Sequence, residues 1–430
     1  MFTSLFGRGG LRVIGLVDCN NFFVSCECVF NPRLRGKRVA VLSNNDGCVV
    51  ARSNEFKQLD IPMGTPYFKL KPMEELLELT FVSSNYELYA DMSSRVMSVL
   101  RDSCPEVEQY SIDEAFIIVD LPADSSYLDW GIKLRGKIQQ WIGIPTGIGF
   151  AASRTLAKLA AKFAKKRKSE GVFVMPDDPV ELLASTPVGD IWGVGGRLGK
   201  RLHDLGIRTA EQLRQADLQW LGRRFNVCLV RTALELRGQD VVPPDKLDHP
   251  IKSATCSRTF GTPIVDFDEL RSSVAEFAEI ACERMRRADR QAVGATVFFN
   301  YSAEYKPKEL PAGTTSMTIL FDTPTNNTSE VFEAISPYMK RMFIAGRRYR
   351  KSGIVFFGLE CGAQCQPSLF PKAPPAIPDK AYQAIDSLNA QYGHNAVHAL
   401  AAGIKQPWKI RRDKLSRQYT TNWNDILQAH

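Results

Sequence analysis

Three acids at the ends of apolar runs constrain the fold of this chain more than any other feature. Asp18 closes the run Leu11 to Val17. Asp113 and Glu114 lie in Tyr110-Ser111-Ile112-Asp113-Glu114-Ala115-Phe116, at a tight turn between the runs Val107 to Tyr110 and Ala115 to Val119. Short apolar runs bounded by polar turns read as strands. Carboxylates at strand ends, drawn together from distant parts of a chain, suit hard divalent cations. A pair of such ions is what in-line phosphoryl or nucleotidyl transfer uses.

Residues 11 to about 178 read as one α/β unit. Strands are expected at Leu11 to Asp18, Arg38 to Ser43 and Thr146 to Ala151, with a hairpin over Val107 to Val119. Helices are expected at Asn21 to Phe30, Tyr89 to Leu100 and Tyr127 to Ile142. The polar stretch Asn44 to Met73, with Gly47, Pro62, Gly64 and Pro66, reads as a small inserted subdomain. This alternation predicts a mixed sheet with helices on one face. The helix after Ala151 carries an apolar stripe, Leu156, Leu159, Ala160 and Phe163. A basic stripe, Lys158, Lys162, Lys165 and Lys166, is offset from it. Cations leaving the sheet that bears the acids suit a triphosphate or a nucleic-acid backbone.

Residues 180 to 243 read as helical. Gly193 and Gly195, between short helices, free backbone N–H groups that can hold a phosphate without reading sequence. A dinucleotide fingerprint fails because Leu198 stands where its third glycine belongs. A P-loop fails because Val194 stands where its first glycine belongs. A helix-hairpin-helix clamp on DNA remains. Residues 244–252 form a linker. Residues 253–360 read as strand, helix, strand, strand, helix, strand, with helices at Asp266 to Ala288 and Thr328 to Phe343. Lys340, Arg341, Arg347, Arg348, Arg350 and Lys351 crowd one turn without an acid, and suit backbone contact.

From 361 to 379 prolines make an extended tether holding Gln366-Pro367-Ser368-Leu369-Phe370. Leu369 and Phe370 bury little within such a tether and can serve a partner's pocket. A helix is expected from Lys380 to Gly403 within the final segment, 380–430. Cys361, Cys365, His394 and His398 mimic a zinc spacing that reads as accidental.

The chain has 430 residues, 44% of them apolar, enough for about two to four domains. Its net charge of +8 fits an anionic partner. The ten cysteines form no CxxC pair and read as reduced, small core residues. No secretory signal or membrane-spanning run is visible, so a cytoplasmic protein without a membrane partner is expected.

Asp18-Cys19-Asn20-Asn21-Phe22-Phe23, Tyr110 to Phe116 and the Lys158 to Lys165 helix together resemble the Y-family of translesion DNA polymerases. Val41 to Val49, Ser84 to Ser93 and Tyr419-Thr420-Thr421 resemble its UmuC branch, which includes the catalytic subunit of bacterial DNA polymerase V and mobile-element homologues. The resemblance covers about residues 11 to 427. It implies an α+β, multidomain right-hand polymerase. A ferredoxin-like palm (11–178) would carry small inserted fingers (about 31–80), followed by a helix-hairpin-helix thumb (180–243). A β-α-β-β-α-β little finger (253–360) and a UmuC-type extension would complete it.

The resemblance also implies roles. Asp18, Asp113, Glu114 and the Cys19 carbonyl would hold two Mg²⁺ ions, with Mn²⁺ able to substitute. Phe22 and Phe23 would meet the nucleotide, Phe23 as the steric gate against a ribose 2′-hydroxyl. Lys165 and Lys57 would contact the triphosphate. At the finger position many relatives carry a Tyr-x-x-Arg pair, where this chain has Asn54 and Lys57. Gly193, Gly195, Arg347, Arg348, Arg350 and Lys351 would touch DNA. Gln366, Leu369 and Phe370 would dock on the sliding clamp. Implied partners are damaged primer-template DNA, dNTPs, a processed UmuD-like dimer and a RecA filament, in the SOS response at the nucleoid. No segment is left for a proofreading exonuclease, so low fidelity is implied. The alternatives are a non-catalytic DNA- and clamp-binding module that obstructs replication, and a nucleotide cyclase, which would need neither thumb nor little finger.

Overall fold

The computed structural model describes residues 13–122, 124–166, 170–242, 251–302, 313–362, 377–393, 396–404 and 406–427. They group into two compact units. Residues 13–43, 47–242 and 414–427 fall in the first, and 44–46 with 251–413 in the second.

The first unit begins with β1 (Val13–Cys19), α1 (Phe22–Phe30), β2 (Arg38–Leu42), β3 (Val49–Arg52), α2 (Asn54–Lys57), α3 (Tyr67–Leu70) and β4 (Leu79–Ser83). It continues with α4 (Tyr86–Ser103), β5 (Glu106–Gln109), β6 (Glu114–Val119), α5 (Tyr127–Ile142), β7 (Thr146–Ala151), α6 (Arg154–Lys166) and β8 (Val172–Val174). Five short helices follow: α7 (Val180–Ser185), α8 (Gly196–Asp204), α9 (Ala210–Gln215), α10 (Leu218–Arg224) and α11 (Val227–Leu236).

The main sheet runs β5-β6-β1-β7-β8 and is mixed, since only β7 and β8 pair in parallel. Its helices do not share one face, which corrects the expectation from sequence. Val13, Val17 and Ile117 pack with α4 and α5, whereas Ile14, Leu16 and Phe116 pack with α6. All seven residues of β1 are buried. An uninterrupted apolar run, in place of alternation, marks a strand covered on both sides. The inserted subdomain is a second sheet, β3-β2-β4, closed over Phe56, Leu70 and Phe81. Helices α7 to α11 share the core of α6, so residues 13–166 and 180–236 belong to one packed body.

The second unit follows the expected order: β9 (Ser253–Ile264), α12 (Phe267–Arg287), β10 (Arg290–Tyr301), β11 (Gly313–Thr325), α13 (Thr328–Met342) and β12 (Tyr349–Cys361). The sheet order is β11-β10-β12-β9, antiparallel throughout, and both helices cover one face. Helix α14 (Asp379–Tyr392) is shorter than the expected Lys380 to Gly403. It ends at Gly393, whose φ of 103° leaves the helical region. His398 therefore lies off the helix, and the zinc look-alike loses its shared scaffold; Cys365 and His394 lie outside the described residues. The final segment divides between the two units. Trp408 is buried in the core of the second unit, while residues 414–427 pack in the first. The clamp-like motif Gln366, Leu369 and Phe370, and most of the linker 244–252, lie outside the described residues.

Candidate active site

Pairing between β1 and β6 sets Asp18 directly opposite Glu114. The Cys19 N–H donates to the Asp113 carbonyl at 2.9 Å, which ties the acid-bearing turn to the end of β1. Ser111 builds that turn: its Oγ accepts the N–H groups of Asp113 and Glu114 at 3.2 and 3.0 Å and donates to Asp113 Oδ1 at 2.7 Å. On the other side Asp18 faces Gly147 of β7.

Two glycines let α6 reach this place. Gly147 and Gly149 share one face of β7. A Cβ at Gly149 would stand 2.0 Å from the Ala161 backbone nitrogen, so α6 lies directly on the strand. Its lysines then line the acids. Lys165 Nζ is 2.6 Å from Asp18 and Lys158 Nζ is 2.9 Å from Glu114. Lys162 pairs with Asp190 at 2.8 Å. A cleft of about 240 Å³ opens here, with Asp18, Glu114, Lys158 and Trp192 on its walls. Lys158 also lies 4.1 Å over the Tyr110 ring and 5.2 Å over Trp192.

Burial raises the Asp18 carboxyl to about 6, opposed by Lys165 and reinforced by the Glu114 carboxylate. Burial also pushes the Cys19 thiol far above its usual range, so the thiol stays protonated and the carbonyl is the donor this residue can offer. Among the described residues, no three Asp, Glu, His or Cys side chains close a cage around one ion. The donor set still fits a hard cation. Asp18 and Glu114 each hold an ammonium, and Asn20 Oδ1, near Gly147, is buried without a partner.

The two phenylalanines diverge. Phe22, also expected to meet the nucleotide, turns into the core at 3% exposure. Phe23 is half-buried and stacks on Tyr89, with centroids 4.5 Å apart and planes 14° apart. Asn21 takes a left-handed conformation (φ 49°), which Asn tolerates, and links α1 to α2. It donates to Asn54 at 3.0 Å and accepts from Lys57 Nζ at 2.5 Å. Burial and the nearby Lys165 and Arg52 lower the Lys57 ammonium's affinity for its proton, while Asp18 opposes them. Lys57 therefore stands in the same field as Lys165.

Reading the sequence placed Lys158 in the basic stripe without its pairing to Glu114, and missed Asn21 and Arg52. The signal for Lys158 was its seven-residue offset from Lys165 on one helix face. Gly193 is left-handed (φ 86°), and Gly195 precedes α8 with open space where a Cβ would stand. In the second unit Arg347 lies 4.0 Å over the Tyr301 ring, Lys351 lies 5.7 Å over Phe298, and Arg350 is exposed.

The family model described as "impB/mucB/samB family" matches residues 17–162, and that of the family's C-terminal domain matches 251–369. The model of the IMS family HHH motif matches 180–207, and a domain described only as of unknown function matches 379–429. Protein UmuC of Salmonella typhimurium is 37% identical over 423 residues, covering 97% of this chain and 100% of that protein. Protein MucB of Escherichia coli is 33% identical, covering 96% and 99%. DNA polymerase IV of Bacillus velezensis is 25% identical, covering 96% and 98%. Among solved structures, a Y-family DNA polymerase chimera of Dbh and Dpo4 has a TM-score of 0.61 at 20% identity, covering 81% of this chain and 99% of that one. The insertion ternary complex of Dbh DNA polymerase scores 0.53 at 20% identity, covering 80% and 98%; both show the fold. The chain belongs to the impB/mucB/samB family, the UmuC branch of the Y-family translesion DNA polymerases.

Proposed function

We propose that this chain extends a DNA primer past damaged template bases at the carboxylates of Asp18, Asp113 and Glu114. It is a DNA-directed DNA polymerase of the error-prone translesion class, acting on primer-template DNA and dNTPs. The observation that carries the site assignment is the register of β1 on β6, which sets Asp18 against Glu114 beside the Asp113 turn.

Y-family polymerases are nucleotidyltransferases that need divalent metal ions. Here Asp18, Asp113, Glu114 and the Cys19 carbonyl would hold two such ions, Mg²⁺ or Mn²⁺ in its place. When bound, such ions activate the primer 3′-hydroxyl and neutralise the leaving pyrophosphate. The protein's own part is placement and charge. Lys165 and Lys57 present ammonium groups to the triphosphate as point charges, without the fork that arginine offers. Phe23 bars a 2′-hydroxyl by bulk, and the lost phenol of a tyrosine gate does not weaken that exclusion. N–H groups near Gly193 and Gly195 hold a DNA phosphate, and Arg347, Arg348, Arg350 and Lys351 add backbone charge.

Gln366, Leu369 and Phe370 dock on the sliding clamp, and the extension receives a processed UmuD-like dimer. A RecA filament activates the complex in the SOS response, in the cytoplasm at the nucleoid. Among the described residues no helix is long and apolar enough to cross a membrane.

The test is primer extension across an abasic site with Mg²⁺, accessory dimer and recombinase filament supplied. Wild type extends and Asp113→Ala does not. Extension by the variant at the wild-type rate would overturn the site.

A further inference from the structure

Residues 414–419 belong to the segment whose family model is described only as a domain of unknown function, and they end against the two helices that carry Phe23 and its backing ring. On α1, Phe23, Glu27 and Phe30 follow each other at four and three residues, so they share a face. Each is met by a specific partner. Tyr89 of α4 stacks on Phe23. Glu27, 1% exposed, accepts the Tyr89 hydroxyl at 2.7 Å and the Ser416 hydroxyl at 3.0 Å. Tyr419 stacks on Phe30, with centroids 4.9 Å apart and planes 7° apart.

The same segment grips the start of α4. Asn85, which caps that helix, donates to Ser416 Oγ at 2.9 Å and to the Arg417 carbonyl at 3.2 Å. Just upstream, Lys414 exchanges two hydrogen bonds with Ser83, at 2.9 and 3.0 Å, and pairs with Glu74 at 2.7 Å. A buried carboxylate with two hydroxyl donors is costly to leave half-satisfied. Its position is therefore fixed jointly by Ser416 and Tyr89. Tyr89 is itself fully buried, so a fixed hydroxyl fixes its ring plane, and Phe23 lies parallel to that plane.

We infer that residues 414–419 are a positioning element for sugar selectivity. Through Glu27 and Tyr89 they hold the Phe23 ring where it excludes a nucleoside triphosphate bearing a 2′-hydroxyl. This rests on Phe23 being the steric gate. A gate rejects one oxygen atom by contact, so a displacement well under the size of that atom weakens it. The deoxynucleotide leaves a gap at that contact and is little affected.

The experiment measures kcat/KM for a dNTP and for the matching rNTP, using the full chain on undamaged primer-template with Mg²⁺ and the same accessory components throughout. Phe23→Ala tests the gate itself and collapses the dNTP/rNTP ratio. Ser416→Ala lowers the ratio about five-fold, the equivalent of one hydrogen bond, chiefly by improving rNTP use. Ser416→Thr, which keeps the hydroxyl, retains the ratio. In a Tyr89→Phe background Ser416→Ala adds nothing further, because the link from Glu27 to the ring is already cut. Amide exchange over Tyr86 to Tyr89 speeds up in Ser416→Ala, a readout independent of activity. If Phe23→Ala collapses the ratio while Ser416→Ala and Tyr419→Ala leave it and the exchange unchanged, the gate stands and the positioning role is overturned. If Phe23→Ala leaves the ratio intact, the gate reading fails and this inference falls with it.

Discussion

The five-stranded sheet of the first unit and the four-stranded sheet of the second are both built from strands alternating with helices, yet they differ in what covers them. In the first, β1 is buried along its whole length, with α4 and α5 on one face and α6 on the other. In the second, α12 and α13 cover one face only, and β11 alternates so sharply that Ile319 is 8% exposed and its neighbour Leu320 68%. A sheet covered twice has no face left for a partner and presents only its strand ends and turns, where Asp18, Asp113 and Glu114 stand. A sheet covered once keeps a whole face for contact. Rows of mostly polar side chains cross it: Thr259, Lys351, Asn300 and Thr314 in one row, Thr255, Val355, Thr296 and Thr318 in another.

The largest expected effect tests the strand ends of the covered sheet. Asp113→Ala removes an acid from a turn that Ser111 already stabilises, so the fold survives. Metal-assisted transfer forfeits several kcal/mol of stabilisation, and at ~1.4 kcal/mol per tenfold the rate falls about 10³-fold or more. Single-turnover extension measures the fall, and DNA affinity stays near wild type. A variant that instead loses DNA binding while keeping its turnover would move the chemistry away from this turn.

The next effect separates the two sheets by stability. Leu16 and Ile117 are both buried but belong to opposite faces of the first sheet. Leu16→Ala and Ile117→Ala each cost about 2–5 kcal/mol. In the second sheet only one face responds. Ile354→Ala, facing the helices at 0% exposure, costs a similar ~2–5 kcal/mol. Val355→Thr, facing outward, shifts stability by no more than ~0.5 kcal/mol. Urea midpoints of the four variants decide it. Equal losses at Ile354 and Val355 would mean that the second sheet is also covered twice.

How much of this contrast the sequence carried depends on the level. Helix α5 was legible to the residue, because Ser126 caps it and Gly143, at φ 82°, stops it. Strand β7 was equally clear, and so was the order of strands and helices along the second unit. The acids were legible because each interrupts an apolar run. The covering of both sheet faces was not, because periodicity tells which residues are buried and is silent on what buries them. The lysine partners were half legible: the basic stripe of α6 was visible, but its approach to Asp18 depends on Gly147 and Gly149 seen in register. Phe22 and Phe23 differ only in helix phase, which two adjacent letters cannot show. The final segment was least legible, because Trp408 and Tyr419 carry the same aromatic signal and pack in different units.

A smaller effect sharpens the idea that the open sheet is a contact face. Lys351→Ala removes one cation from the first polar row without touching the core. If it faces a phosphate, the slope of log affinity against log salt falls by about one, uniformly across DNA sequences. Fluorescence anisotropy over a salt series measures this. Arg347→Ala changes the slope less, because its guanidinium is already spread over the Tyr301 ring and is half-buried.

The smallest expected effect is the most particular to the open face. Thr296 and Thr318 lie opposite each other in the second row, with hydroxyl oxygens 2.9 Å apart. In solution each hydroxyl is also open to water, so Thr318→Val forfeits little and stability moves within ~0.5 kcal/mol. Against a nucleic-acid backbone a row of hydroxyls supplies neutral hydrogen bonds, which add affinity without altering the number of counterions released. Thr318→Val therefore weakens DNA binding about two- to five-fold while the salt slope stays at the wild-type value. That pairing of a changed intercept with an unchanged slope separates contact through hydroxyls from contact through charge. A slope that falls with Thr318→Val as it does with Lys351→Ala would mean that the row only positions the neighbouring cation.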